Sequence, residues 1–272
     1  MTRAEFYNLL QNLRPVPYDH HETDGSYTFH NRQRLYVTIR ALESFAENRK
    51  EIDILDVGSF PGCFLRVFPQ IWSDKILKMH AVGLANNAEF LEDLSLNSIP
   101  FHQMNLDPKL RDQKCLSERI PYQEEKFDLI LATEVVEHLF DPVHLLKEAY
   151  RVARPGATIV ITTPNLATLY RRLSFLLRGH SPNTPIRASM MGEPLCDWRP
   201  HIREFTPSEI VDMLKLAKWS PQLVQPYRID YPVETMRARL VNSFLSLLSS
   251  YRPEYLTDVL YIGRKDVPVP IP

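Results

Sequence analysis

Long apolar runs, a cysteine framework and a dominant charge are all missing from this chain of 272 residues. No apolar stretch approaches the ~20 residues that a helix needs to cross a bilayer. The opening segment, MTRAEFYNLLQNLRP, is amphipathic and lacks the apolar centre of a secretory signal. Three cysteines (Cys63, Cys115 and Cys196) are an odd number at unrelated spacings, fitting neither a disulfide scaffold nor a zinc site. They read as reduced thiols, and the expectation is a soluble, cytoplasmic protein without a transmembrane segment. A formal net charge of -1 leaves no global attraction to a polyanion such as bulk DNA. There are no internal repeats and no low-complexity tract. What remains, 44% hydrophobic and 24% charged residues, is the make-up of an ordinary globular domain. With no visible linker, residues 1–272 are read as one domain.

Periodicity divides that domain. Helical spacing predicts a helix near Phe6–Leu13 and another over Asn31–Ala46, where Leu35, Ile39, Leu42 and Phe45 share a face. Residues 1–50 are therefore an N-terminal helical cap. Strand-like runs follow at Ile52–Val57, His80–Leu84, Ile99–Met104, Phe127–Thr133 and Thr158–Thr163, with helical patterns at Gly62–Ile71, Ala88–Leu96 and Val143–Ala153 between them. Alternation of this kind predicts an α/β fold with a mostly parallel sheet and helices on both faces. Ligands of such sheets bind at the carboxyl ends of the strands. An insertion follows strand five (166–205), too long for a simple connection. The rest of the fold (206–272) has a helix from Pro207 capped by Thr206, a strand near Leu223–Tyr227, an amphipathic helix at Ala238–Ser250 and a last strand at Asp258–Ile262.

Chemistry concentrates at two places. In Asp53-Ile-Leu-Asp-Val-Gly-Ser-Phe-Pro-Gly62 an acidic residue and two glycines stand where strand one becomes a helix. Gly58 permits a sharp turn with close backbone approach, and Gly62 lets the helix sit near a ligand. By itself this fits a tight turn without a ligand as well as a binding loop. The second place is Glu134, Glu137 and His138, after strand four. Offsets of three and four put them on one face of a helix starting there. Two carboxylates and an imidazole suit Mg²⁺ or Mn²⁺, particularly with His201 folded in. The same letters also fit carboxylates favoured at a helix N-terminus and a half-buried histidine bonded to a loop carbonyl.

Asp56-Val-Gly-Ser-Phe-Pro-Gly62 resembles motif I of the Rossmann-like (class I) S-adenosylmethionine-dependent methyltransferases, with Phe60 at the middle glycine. Phe127-Asp-Leu-Ile-Leu-Ala-Thr-Glu-Val-Val-Glu-His-Leu-Phe-Asp-Pro142 is similar to the fourth-strand motif of their ubiquinone-biosynthesis-like branch. Ala149-Tyr-Arg-Val-Ala-Arg-Pro-Gly156 with Ile159-Val-Ile-Thr-Thr-Pro-Asn165 matches the post-motif of that group. Together these blocks cover about Glu51 to Asn165. The resemblance implies a Rossmann-like methyltransferase fold of seven strands, with 51–165 the cofactor-binding core and 166–205 on the substrate side. It implies S-adenosylmethionine as cofactor, held by Asp56, Gly58, Ser59, Phe60, Gly62, Asn86, Asn105 and Thr133. Where the family ends strand two with an acidic residue toward the ribose, this chain has Ala85-Asn86-Asn87. Asn86 or Asn87 then supplies a hydrogen bond without a charge. Asn105 stands where the family often has an aspartate toward the adenine amino group, and it equally suits a turn cap.

The E-x-x-E-H block, with the distal His201-Ile-Arg-Glu-Phe-Thr206, also resembles the metal site of small-RNA 3′-end 2′-O-methyltransferases. Glu134, Glu137, His138 and His201 are the implied ligands. The expected activity is methyl transfer to a hydroxyl or amine of a small molecule by direct displacement, with His138, His201 or Glu134 as candidate bases. His20 and His21 are further candidates, more simply read as loop histidines. The alternatives are a metal-dependent RNA 3′-end 2′-O-methyltransferase and a non-catalytic cofactor-binding scaffold. In the insertion, Arg171, Arg172, Arg178, His180 and Arg187 lie among Leu169, Phe175, Leu176 and Leu177. Such a segment faces an anionic acceptor, a nucleic-acid end or a membrane surface, or else packs on the domain with its arginines in water.

Overall fold

The computed structural model describes residues 1–13, 20–21, 25–84, 87–107, 119–179, 201–229 and 252–267. Seven strands form one sheet: β1 (Glu51–Val57), β2 (Ile76–Gly83), β3 (Phe101–Gln103), β4 (Phe127–Thr133), β5 (Ala153–Pro164), β6 (Ser220–Tyr227) and β7 (Asp258–Arg264). Their spatial order is β3-β2-β1-β4-β5-β7-β6. The first five run parallel, and β7 lies antiparallel to both β5 and β6. The principal helices are α1 (Arg3–Asn12), α2 (Arg32–Ala41), α3 (Cys63–Ile71), α4 (Ala88–Leu96), α5 (Pro142–Val152), α6 (Leu169–Arg178) and α7 (Pro207–Leu216). The mostly parallel, seven-stranded architecture expected from the sequence is the one observed.

Alternation along the strands makes two cores. Leu55, Val57, Ile130, Ala132, Ile159 and Ile161 face one way, against Leu145, Leu146 and Ala149 of α5 and Leu214 of α7. Ile52, Ile54, Leu129, Leu131 and Val160 face the other, against Phe6 and Leu10 of α1, Leu35 and Ile39 of α2, and Phe64 and Phe68 of α3. Neighbouring residues of a strand point to opposite faces, so a strand covered on both sides reads as a continuous apolar run. The N-terminal cap is thus part of the second core. Trp219, among the largest buried side chains, donates its indole N–H to the Leu146 carbonyl and satisfies its one polar atom.

Several boundaries differ from those expected. β2 begins at Ile76 rather than His80, because its first half is partly exposed and lacks the apolar run of a buried strand. β5 extends back to Ala153. The predicted Asn31–Ala46 helix is broken at Leu42 into α2 and a short helix, Glu43–Glu47. The insertion opens with α6, which has a Thr168 N-cap and Gly179 at φ 71° as its C-cap. Ala85, Asn86, His180, Arg187 and the predicted Ala238–Ser250 helix lie outside the described residues, as do the side chains of His20 and His21. No helix among the described residues is long and apolar enough to cross a membrane.

Candidate cofactor and metal site

The register aligns the site. Asp56 pairs with Ala81 on one side and Leu131 on the other, and Thr133 with Thr162, so the ends of β1, β2, β4 and β5 form a common rim. A cleft opens at this rim. It is lined by Asp56, Gly58, Ser59, Phe60, Pro61, Cys63 and Phe64 from β1 and the loop into α3, by Thr133, and by Tyr27 and Arg34 from the cap.

Gly58 has φ 69°, and its N–H donates to Val82 O at 2.8 Å, tying the loop to β2. A Cβ built there falls 2.5 Å from Val135 Cγ2, so the close approach requires glycine. Gly62, at φ 83°, is the N-cap of α3. Phe60, in place of the expected middle glycine, packs edge-on against Phe90 of α4, with ring centroids 5.3 Å apart. The aromatic side chain therefore anchors the loop to the neighbouring helix. Asp56 is buried, and burial alone pushes its carboxyl up to about 7. Ser59 Oγ is buried without a hydrogen-bond partner among the described residues. Among the described residues, the cleft thus offers a carboxyl with no paired counter-charge and a hydroxyl with no partner.

Two expected cofactor residues are engaged locally. Asn105 Oδ1 accepts from the Asp107 N–H at 3.1 Å, a turn cap, and Asn105 is absent from the cleft lining. Asn87 Oδ1 accepts from Phe90 N as the N-cap of α4. Arg34 was not anticipated. It reaches from α2 to place Nη1 3.2 Å from Glu134 Oε2, and it donates from Nη2 to the Tyr27 hydroxyl at 3.1 Å. Arg34 and Thr38, one turn apart, are both buried beside the apolar stripe, and the sequence carries no signal of that burial.

The structure corrects the expectation that Glu134, Glu137 and His138 share one helical face. Glu134 follows β4 in a left-handed conformation, φ 55°, and only Val136–His138 form a single 3₁₀ turn. That kink sends the Glu134 carboxylate to Arg34 and to the Thr162 hydroxyl at 2.8 Å. The groups that converge are Glu137, His138 and His201, with one ligand-type atom of each within 4.8 Å of the others. His201 is brought in by the backbone: the carbonyl of Glu137 accepts from the N–H groups of Ile202 and Arg203 at 2.8 and 3.2 Å.

Glu137 is fully buried. Its Oε2 accepts from the Thr163 hydroxyl at 3.0 Å, and its Oε1 has no donor among the described residues. Nε2 of His138 and Nε2 of His201 each lie 4.0 Å from that Oε1. Burial, then the nearby Glu134, raises the Glu137 carboxyl well above its ordinary range. Burial, with His138 next, lowers His201 to about 4. His201 Nδ1 sits 3.3 Å from Glu204 Oε1, and Glu204 is in turn held by Arg171. A carboxylate on Nδ1 fixes a neutral imidazole with its proton there and its Nε2 lone pair free. An unpaired carboxylate oxygen thus faces two imidazole nitrogens at 4.0 Å each, and carboxylate and imidazole are donor types that divalent cations take.

The family described as "Methyltransferase domain" matches residues 29–219, more than half of the chain. Among curated proteins, ajmaline N-methyltransferase of Rauvolfia serpentina is 30% identical over 105 residues, 37% of this chain and 34% of that protein. A ubiquinone biosynthesis O-methyltransferase of Bradyrhizobium is 26% identical over 136 residues, 48% of this chain and 49% of that protein. The chain spans between about a fifth and a little over half of the length of the curated relatives it matches. Among solved structures, the fold is similar to that of Burkholderia thailandensis 1,6-didemethyltoxoflavin-N1-methyltransferase with bound 1,6-didemethyltoxoflavin and S-adenosylhomocysteine. The TM-score is 0.50 and the identity 16%, with 97% of this chain and 87% of that chain covered.

Proposed function

From the premise that this chain belongs to the methyltransferase-domain family, we propose that it transfers a methyl group from S-adenosylmethionine to a hydroxyl or amine of a small molecule. The observation that carries this reading is the cleft at Gly58, where Asp56 is buried without a counter-charge. A ligand with cationic sulfonium and ammonium groups supplies the missing positive charge. When bound, S-adenosylmethionine supplies an electrophilic methyl, so the protein's task is alignment of an acceptor for in-line displacement. Asp56, Ser59 and the Gly58 backbone hold the cofactor, Phe60 fixes the loop, and Thr133 borders the cleft where β4 ends. With no cation bound, His201, whose Nε2 is free of a proton, would be the group to take a proton from a hydroxyl, with His138 beside it.

The donor set at Glu137, His138 and His201 fits a divalent cation, and Mg²⁺ or Mn²⁺ is proposed there. Glu134 is left out of the set because Arg34 already neutralises it. A bound cation would lower the pKa of an acceptor hydroxyl. The same cluster supports the RNA 3′-end reading as the alternative. Against that reading stand the net charge of -1 and the inward-turned Arg171.

Calorimetric titration with S-adenosylmethionine, with and without Mg²⁺ or Mn²⁺, tests the proposal on wild type and Asp56→Ala. Micromolar binding lost in the variant supports it, and an acceptor screen follows. No binding under any condition overturns it in favour of a scaffold.

A further inference from the structure

Helix α6 is packed inside out. Two of its polar residues turn inward: Ser174 is buried, and Arg171 donates to buried Glu204 at 2.7 Å. Its apolar residues face water: Tyr170, Leu173, Phe175, Leu176 and Leu177 are all exposed, the last two at 79% each. At helical spacing, Tyr170, Leu173, Leu176 and Leu177 form one stripe, a concentration of apolar surface that calls for a partner. Arg172 flanks the stripe, one turn before Leu176. It is exposed, with its Nε–H on the Ala167 carbonyl and its guanidinium over the Tyr255 ring. Arg178 ends the helix, also exposed. Residues 166–179 contain three arginines and no acidic residue.

We propose that α6 is a docking surface for an anionic lipid bilayer, lying in the interface plane with its leucines among the acyl chains and Arg172 and Arg178 at the headgroups. A short helix with a broad apolar stripe and cationic flanks has the composition of an interfacial helix. Each arginine near an anionic surface adds attraction. A second copy of this chain fits less well, because a two-fold contact through α6 sets arginine against arginine with no carboxylate from the helix to pair them. The inference does not depend on the methyl-transfer reading, and its test contains no enzyme assay.

The full chain is sedimented with vesicles of phosphatidylcholine alone and of phosphatidylcholine mixed with phosphatidylglycerol. Binding is expected to the mixed vesicles, weakened by salt. Leu176→Ser/Leu177→Ser should lower it at least about tenfold while thermal unfolding by circular dichroism stays unchanged. Arg178→Glu, a separate exposed substitution, should weaken binding to the mixed vesicles. The proposal is overturned if wild type stays in the supernatant, if it binds neutral vesicles equally well, or if the leucine variant binds as wild type does. A dimer in sedimentation velocity that the leucine variant dissolves, without vesicle binding, would assign the face to a second copy.

Discussion

Arg34 of the N-terminal cap and Glu134 at the end of β4 form an ion pair at 3.2 Å, with side chains 6% and 18% exposed. The pair ties a helix that precedes the sheet to the strand end beside the cofactor cleft. Removing one member of a buried pair strands the other charge and costs about 3–5 kcal/mol. Arg34→Met is therefore expected to lower stability by roughly that amount in chemical denaturation. Arg34→Met combined with Glu134→Gln should lose less than the two single changes added together. Additive losses would show that the pair contributes no coupling.

On the proposed reading, Asp56 should make cofactor binding pH-dependent. Its carboxyl ionises at about 7 in the free cleft, against the ordinary carboxylate range in the unfolded chain. Between those values the folded protein holds more protons, so stability without cofactor falls as pH rises through the window. A cationic ligand favours the ionised form. Affinity should therefore rise with pH by up to about tenfold per unit below 7, then level off. Calorimetry in two buffers of different ionisation enthalpy should find proton release at pH 6, absent in Asp56→Asn.

Gly58→Ala should abolish detectable S-adenosylmethionine binding. The added methyl meets Val135 Cγ2, and φ 69° costs an alanine about 1–2 kcal/mol. Val135→Ala in the same chain removes the clash but leaves the backbone strain, so partial recovery in a binding titration is the expected result. Full recovery would mean that the backbone conformation carries little of the cost.

Mn²⁺ binding followed by electron paramagnetic resonance separates the carboxylates. Glu137→Gln should eliminate it, since Oε1 is the atom both imidazoles face. Glu204→Gln, which loosens His201 from outside the cluster, should weaken it about 10–100-fold. Glu134→Gln should leave the affinity near wild type. A larger effect at Glu134 than at Glu137 would restore the helical-face arrangement.

Much of the fold was legible because strands buried on both faces declare themselves as apolar runs, and because caps such as Thr206 and the turn at Gly58 obey local rules. The site was legible only where a single stretch of chain builds it. Spacing put Glu134, Glu137 and His138 on one helical face, but the left-handed Glu134 breaks that offset, and only Glu137 and His138 lie in the turn that meets His201. Arg34 escaped notice since nothing local distinguishes a buried arginine on a helix from a solvated one. Phe60 stands in for a glycine through a contact with Phe90, a residue of the next helix, which the loop sequence does not reveal. For α6, the sequence offered packing on the domain with the arginines in water as an alternative, and nothing in it showed that the leucines would stay exposed as well.

The Glu137 carbonyl, by accepting from both Ile202 and Arg203, pins the far end of the insertion to the near side of the site. Whatever chain runs from the end of α6 to His201 begins and finishes at fixed posts. Lengthening such a segment adds little closure entropy, about 0.6 kcal/mol for each doubling. If the insertion lies on the substrate side, as the family resemblance implies, acceptor choice would be evolvable apart from chemistry, with segments of different length exchanged between those posts.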